Sequence, residues 1–532
     1  MSGNSEAVSF PSIFNDVIGP VMRGPSSSHC AAALRIGRMA RDLMDGDIES
    51  VRIEFDADGS LATTHTTQGS DMGLLAGLLG WEATDERLAD SSDAVRKAGI
   101  NVAMNVVNLG ATHPNTYKLT LANLTEKHSL TAVSTGGGMI EIVDIDGVRM
   151  SLAGDYYETL IFLDTPHGEI LEFLETRIEA DWILLQKNES TEIVEIKARR
   201  FPERSVLTQL CSRTGVKQVK TISPVLPILS RQGMQVPFLT SEEMGRYNAG
   251  KNLELWELAI RYESSRGGIP GEQVFQMMSD IVLIMRESIR TGLKGTRYAD
   301  RILGCQSGFF RTQMENERLL DGGLLNRIIL YVTAMMEVKS SMGVIVAAPT
   351  AGACGVLPGA ILGAADVLGS SPDEMTKALL AAGMIGVFIA AQATFAAEIG
   401  GCQAECGAGS GMAAAALVTL AKGNLHQACD ASSMALQNIL GMICDPVASR
   451  VEAPCLGKNV MAAANALACA NMALSDFDAV IPLDEVIETM DRVGKSLPQE
   501  LRCTARGGLS VTRTSMELEK KLKTSPQNPD SL

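Results

Sequence analysis

The alternation of apolar and polar positions changes character near residue 240. Before it the apolar runs are short and often alternate; after it they are long and apolar on every side. VRIEFDADGS (51–60) has the period of two expected of a strand and turns at Asp58-Gly59. YKLTLAN (117–123) and SLTAVSTGGGMIEIVDIDG (129–147) read as strands around Gly136-Gly137-Gly138. CAAALRIGRMARDLM places apolar residues at helical spacing, which predicts a helix beginning near Ser28. Asp71 through Gly80 and Ala94 through Leu109 read as further helices. Residues 1–155 are therefore expected to form an α/β domain, and residues 240–512 an all-α domain.

Between them, residues 156–200 give strand, helix, strand, strand: YYETLIFLD, EILEFLETRI, ADWILLQ and TEIVEIKA. This resembles a truncated ACT-type βαββαβ unit whose last helix and strand are not evident, and a strand-rich extension of the first domain reads equally well. Pro224, Pro227 and Pro237 mark residues 201–239 as a linker. In the helical part, Ser371-Pro372-Asp373-Glu374 is a capping box with Pro at the first helical position. Ala378 to Ala397 holds 20 residues without a charge, long enough to cross a bilayer. The run is rich in Ala and Gly, includes Gln392 and lacks basic or aromatic flanks, so a buried core helix is expected. Residues 513–532 are charged and broken by proline, and read as a flexible tail. The fold class is thus α+β.

Composition narrows the function. The 532 residues carry a formal charge of -16, which argues against a nucleic-acid partner. The first residues, MSGNSEAVSF, lack the basic and apolar regions of a signal peptide. Eleven cysteines suit a reducing cytoplasm and a metal better than a disulfide framework.

Four stretches carry candidate chemistry. Gly24-Pro25-Ser26-Ser27-Ser28-His29 sets three hydroxyls and an imidazole at a helix start. Such a start favours a carboxylate and a neutral histidine. Thr and Ser crowd around His65 ahead of Gly69-Ser70-Asp71. AAPTAGACGVLPGAILG (347–363) predicts a tight bend, with Cys354 a small buried residue. Cys402, Cys444 and Cys455 stand in GCQAEC, MICDPVASRVEAPC and neighbouring small-residue segments. Their spacings are too long for a zinc knuckle. Spacing alone leaves buried cysteines, zinc and an open iron–sulfur site all standing.

Taken together, GPSSSH (24–29), HPNTYKL (113–119), APTAGACGVLPGA, GCQAE, CDPVASRVEAPCLGKN and RGGLS resemble, in order, the signatures of the iron–sulfur-dependent L-serine dehydratases. The resemblance runs from about residue 13 to 511 and implies a single chain in which the family's β and α parts are fused. It implies a [4Fe–4S] cluster on Cys402, Cys444 and Cys455 with one iron open to substrate. It implies dehydration of L-serine to pyruvate and ammonia, with His29 as a base and Ser26, Ser27 and Ser28 cradling the carboxylate. Lys458, Asn459 and Arg506 are further candidates for polar contacts. The family's second histidine, in a G-H-G-[TS]-D segment, is matched here by Gln68. His65 could substitute, His29 could act alone, or the substrate could be another amino acid such as L-threonine or L-cysteine. A non-catalytic cluster-containing sensor is the rival from another class. The cysteine-bearing tail of some members has no counterpart after RGGLS, and Cys503 does not match it, so water or substrate is expected on the open iron. A homodimer, a small amino-acid substrate and no membrane partner complete the expectation.

Overall fold

The computed structural model describes residues 10–164 and 168–524. It divides into two units, one of Met22–Met234 and one of Met1–Val21 with Gln235–Leu532.

The first unit holds two sheets. Six strands form the larger: β1 (Ser50–Asp56), β2 (Asn101–Val107), β3 (Thr116–Ala122), β4 (Lys127–Gly136), β5 (Met139–Ile145) and β6 (Val148–Leu152). Their spatial order is β2-β1-β3-β4-β5-β6. β1 and β2 are parallel, and the other pairs are antiparallel. Alternation along β1 turns Val51, Ile53 and Phe55 into the core, where they meet Ile36, Met39 and Leu43. Those three come from the helix Ala32–Leu43, which packs on the helix Ser70–Leu78. Glycine permits the approach: a Cβ on Gly73 would lie 2.0 Å from the carbonyl oxygen of Cys30. This contact ties the start of the first helix to the second.

One predicted helix is wrong. Residues 94–109 give a short helix, Ser91–Lys97, then the strand Asn101–Val107. Gly99 at φ 82 ends the helix, and the β-branched valines beyond it pair with β1.

The ACT-like segment is also larger than predicted. β7 (Tyr157–Leu163), β8 (Trp182–Lys187), β9 (Glu192–Ala198) and β10 (Val216–Ile222) form an antiparallel sheet in the order β10-β7-β9-β8. With the helices Gly168–Arg177 and Arg204–Cys211 it completes βαββαβ. Its helix-side core includes Ile161, Leu174, Val194, Ile196 and Leu210. The other face sends Leu160, Phe162, Ile193 and Ile222 into the core of the larger sheet. The supposed linker therefore shortens to the residues beyond Ile222. Residues 204–222 looked like linker because the helix has only eight residues and Lys217 and Lys220 interrupt the strand.

The second unit is helical. Its centre is the helix Cys406–Leu420, which packs against Val356–Leu368, Pro372–Gln392, Leu425–Gln437 and Cys455–Leu474. Alanine and glycine line these contacts, so backbones come close without aromatic filling. The capping box at Ser371 forms, with Glu374 N–H donating to Ser371 Oγ at 3.3 Å and Ser371 N–H to Glu374 Oε2 at 2.8 Å. Two stretches, Ala351–Leu368 and Pro372–Gln392, are long and apolar enough to cross a membrane, and most of their residues are buried inside this unit. The chain's first described residues belong here rather than to the α/β unit. Ser12 Oγ donates to Glu263 at 2.5 Å, and Tyr262 donates to the carbonyl of Pro11 at 2.8 Å. Part of the predicted tail is ordered as the helix Arg513–Thr524, where Ser515 Oγ accepts from Ala448 N–H at 2.8 Å. Residues 525–532 lie outside the described residues.

Candidate active site

In the α/β unit the chain from Ser27 enters one tight turn and then the helix Ala32–Leu43. The turn buries His29 completely and Ser26, Ser27 and Ser28 almost so. His29 Nε2 lies 2.8 Å from Thr64 Oγ1. Thr64 spends its own proton on the Ser60 carbonyl at 2.6 Å, so it can only accept from the imidazole. The proton of neutral His29 therefore sits on Nε2. Its Nδ1 lone pair faces Ser26 Oγ and Ser28 Oγ, each at 3.1 Å. This is a buried imidazole with hydroxyls at both ring nitrogens. The serines are consequently built around His29, with Ser26 and Ser28 also 3.3 Å from each other.

His65 is held differently. Its Nδ1 lies 2.6 Å from Asp71 Oδ1, and its ring stacks on Phe55 with centroids 4.7 Å apart. Thr66 Oγ1 donates to the other oxygen of Asp71 at 2.8 Å. His65 follows Thr64 in the chain, so the residue that contacts His29 and the second histidine are neighbours on one polar turn. Gln68 is buried in the same turn, with its N–H donating to the Thr64 carbonyl at 2.9 Å.

Two residues that the sequence reading did not single out stand out here. Asn115, of the HPN segment, is fully buried, and neither its amide nitrogen nor its amide oxygen has a partner. Ser134, whose N–H donates to the Asn115 carbonyl at 3.0 Å, is fully buried with an equally unpartnered hydroxyl. The neighbouring Pro114 carbonyl accepts from Ser60 N–H at 2.9 Å, on the turn that positions Thr64. Buried polar atoms of this kind are costly unless a ligand or water completes them. The signal lay in a short polar motif between strands, which periodicity does not report.

In the helical unit, Cys402, Cys444 and Cys455 are all buried. Among the described residues no three His, Cys, Asp or Glu side chains converge as they would on a single metal ion. Burial pushes the Cys455 thiol up to about 12, with the charge at Cys402 adding to it. Cys444 is raised by a hydrogen bond to the Cys503 side chain and by burial, and Cys406 by a hydrogen bond to the Cys402 side chain and by burial. Lys458 supplies positive charge. Burial pulls its ammonium down, but the nearby Cys402 and the Asp445 carboxylate raise it above its ordinary value. Its Nζ donates to Asp445 at 2.6 Å and to the Ile443 carbonyl at 2.7 Å. Buried Lys339 adds a second cation whose field reaches Cys455. Two cations beside a set of thiols are what a group with several thiolates requires.

The remaining predicted contacts take other places. Asn459 is fully buried and saturated: its Nδ2 donates to the carbonyls of Gly352 and Cys455, both at 2.8 Å, and its Oδ1 accepts from Gly355 N–H at 3.1 Å. It joins the 347–363 bend to the helix carrying Cys455. Arg506 is exposed on the loop that follows Cys503. Cys354 is buried against Met336, as a small core residue. Glu405, from GCQAE, was missed. It is half-buried, accepts from Thr350 Oγ1 at 2.7 Å, and desolvation raises its carboxyl to about 7.

The helical unit holds three buried thiols, and the α/β unit holds a buried imidazole among hydroxyls. Comparison with known proteins narrows this. Residues 250–510 match the family model of the serine dehydratase alpha chain, and residues 13–108 that of the beta chain. The chain is 39% identical over 285 residues to a Bacillus subtilis protein named probable L-serine dehydratase, alpha chain, covering 54% of this chain and 95% of that one. A second Bacillus subtilis protein, named probable L-serine dehydratase, beta chain, is 38% identical over 161 residues, 30% of this chain and 72% of its own length. The L-serine dehydratase of Helicobacter pylori is 27% identical over 500 residues, 92% of this chain and 96% of its own. The chain belongs to the serine dehydratase family, with the alpha and beta parts fused in one polypeptide.

Proposed function

We propose that this protein dehydrates and deaminates L-serine to pyruvate and ammonia, using a [4Fe–4S] cluster held by Cys402, Cys444 and Cys455. The observation that carries the reading is the buried set of three thiols with Lys458 and Lys339 beside it. When bound, the cluster would supply a Lewis acid for the departing β-hydroxyl. The chain's own residues do the rest. His29 takes the α-proton at Nδ1, the nitrogen that the Thr64 contact leaves unprotonated. Ser26 and Ser28 move their hydroxyl bonds from His29 to the substrate as it arrives. Asn115 and Ser134 offer a donor and acceptors to its ammonium or carboxylate. Loss of the α-proton and the β-hydroxyl releases water and an aminoacrylate. That product tautomerises to the imine and hydrolyses. His65, bound to Asp71, serves to shape the turn that carries Thr64. A reducing compartment such as the cytoplasm suits the eleven unbridged cysteines.

An anaerobic assay of the purified chain, with L-serine, L-threonine and L-cysteine offered separately, tests the reading. Pyruvate from serine at a kcat/KM above that of the other two is expected. Sulfide from cysteine as the main activity, or an iron–sulfur chromophore without any turnover, would overturn it. Absence of that chromophore from anaerobically prepared protein would remove the cluster.

A further inference from the structure

Cys503 lies beside one of the proposed cluster ligands although it belongs to none of the motifs. Backbone pairing brings it there. Cys444 N–H donates to the Leu501 carbonyl at 2.9 Å, and Cys503 N–H donates back to the Cys444 carbonyl at 3.2 Å. This makes a parallel bridge of Cys444 with Arg502. Residue 503 then leaves the extended line at φ 55, a left-handed conformation that few non-glycine residues adopt. The Cys503 side chain is the first influence on the Cys444 thiol, ahead of burial. Both residues are almost fully buried. Adjacent bridged backbones set cysteines within the range that a disulfide spans. Strained backbone at a buried cysteine is seldom kept without a role. A bond between these two sulfurs would take Cys444 away from an iron.

We propose that Cys444 and Cys503 form a disulfide in the cluster-free protein, and that this bond gates cluster loading. The gating half depends on the cluster reading given above; the disulfide half does not. The oxidant is a low-molecular-weight disulfide such as oxidised glutathione. One cysteine thiolate attacks a glutathione sulfur, and one glutathione leaves. The second cysteine thiolate then attacks the mixed disulfide and releases the other glutathione. The protein sulfurs lose two electrons and their two protons, which the two glutathione thiols receive. With Cys444 oxidised, one of the three cluster thiolates is missing until a dithiol reduces the bond.

The test uses full-length cluster-free protein treated anaerobically with oxidised glutathione. Trypsin releases Cys503 on the short peptide ending at Arg506, and cleavage before Asp430 and Asp445 separates Cys444 from Cys429. Non-reducing mass spectrometry is expected to find the Cys503 peptide joined to the segment carrying Cys444. Cys503 recovered as a free thiol, or joined elsewhere, overturns the proposal. Reconstitution with ferrous iron and sulfide reads the gate through the visible iron–sulfur absorption. Oxidised protein is expected to take up a several-fold smaller amount than the same protein after reduction, whereas Cys503→Ser takes up equal amounts either way. Equal uptake by oxidised and reduced wild type overturns the gate. Failure of the reduced protein to take up iron at all refutes the cluster reading, and leaves the disulfide to the mass-spectrometric result.

Discussion

His29 Nε2 and Thr64 Oγ1 stand 2.8 Å apart, and the same threonine hydroxyl donates to the Ser60 carbonyl at 2.6 Å. That relay fixes which imidazole nitrogen is basic. Removing the base by His29→Ala is expected to lower kcat about 10²–10⁴-fold, the usual worth of a positioned base. Thr64→Val keeps the volume but frees the ring to change tautomer, and a loss of about 10–100-fold is expected, as for a misplaced group. Thr64→Ser should restore most of it. KM for serine should change little in the Thr64 variants, because the residue touches the base and not the substrate. Equal activity of Thr64→Val and wild type would remove the relay from the mechanism.

His65 makes the opposite case. Its Nδ1 is committed to Asp71 at 2.6 Å, and its ring lies on Phe55. His65→Ala is expected to lose less than tenfold in kcat while His29→Ala loses far more. The reverse order would move the base to His65 and give Gln68's missing imidazole a substitute.

Asn459 acts as a clamp between the 347–363 bend and the helix carrying Cys455. It satisfies carbonyls at Gly352 and Cys455 and an N–H at Gly355, all in the buried interior. Asn459→Ala leaves these groups unpaired, for which a stability loss of about 2–4 kcal/mol is expected. Chemical denaturation of the cluster-free protein checks this, since that measurement does not involve turnover. An unchanged midpoint would show that the groups find other partners.

The parts of the fold carried by strict periodicity were legible in the sequence: β1, β3, β4, β5 and the helices at Ala32 and Ser371. Residues 101–107 were not. Val102, Val106 and Val107 fit a helix face as well as a strand, and pairing with β1 across the sheet decided the matter. The end of the ACT-type unit was hidden for another reason. Lys220 is buried in its last strand, where Asp45 at 2.6 Å and Glu126 at 2.8 Å neutralise it, and a lysine in a strand pattern reads as exposed. The site shows the same division. Cys402, Cys444, Cys455 and His29 announced themselves by motif. Asn115, Ser134, Glu405 and Cys503 matter through what surrounds them in space, which a linear pattern does not contain.

Lys458 gives a prediction about assembly. Its ammonium is raised by the charge of Cys402 and by Asp445, and it sits beside the thiol set as counter-charge. Lys458→Met removes that charge at similar length. Iron and acid-labile sulfide per chain are expected to fall several-fold in the variant reconstituted alongside wild type. Asp445→Asn, which frees the lysine rather than deleting it, should fall less. Full incorporation by Lys458→Met would assign the lysine to holding the 443–445 backbone alone.

The ACT-type sheet carries a pH dependence of its own. Glu158 on β7 lies directly across from Lys197 on β9, and Lys197 Nζ reaches Glu158 at 3.3 Å and Glu195 at 3.1 Å. Both carboxylates are almost wholly buried around one ammonium. Burial raises Glu158 to about 8, with the charge of Glu195 adding and that of Lys197 opposing. The folded protein therefore keeps a proton on Glu158 that the unfolded chain releases near its ordinary value of 4.5. Where the folded state binds more protons, stability falls as pH rises. The fall attributable to Glu158 begins above the unfolded value and ends near pH ~8, and amounts to a few kcal/mol at most, at roughly 1.4 kcal/mol per pKa unit. Glu158→Gln cannot release that proton. Its denaturation midpoint should decline less than that of wild type between about pH 5 and 8, with the two diverging most at the alkaline end. Parallel curves across that window would mean that Glu158 is ionised in the folded sheet, with Lys197 holding it so.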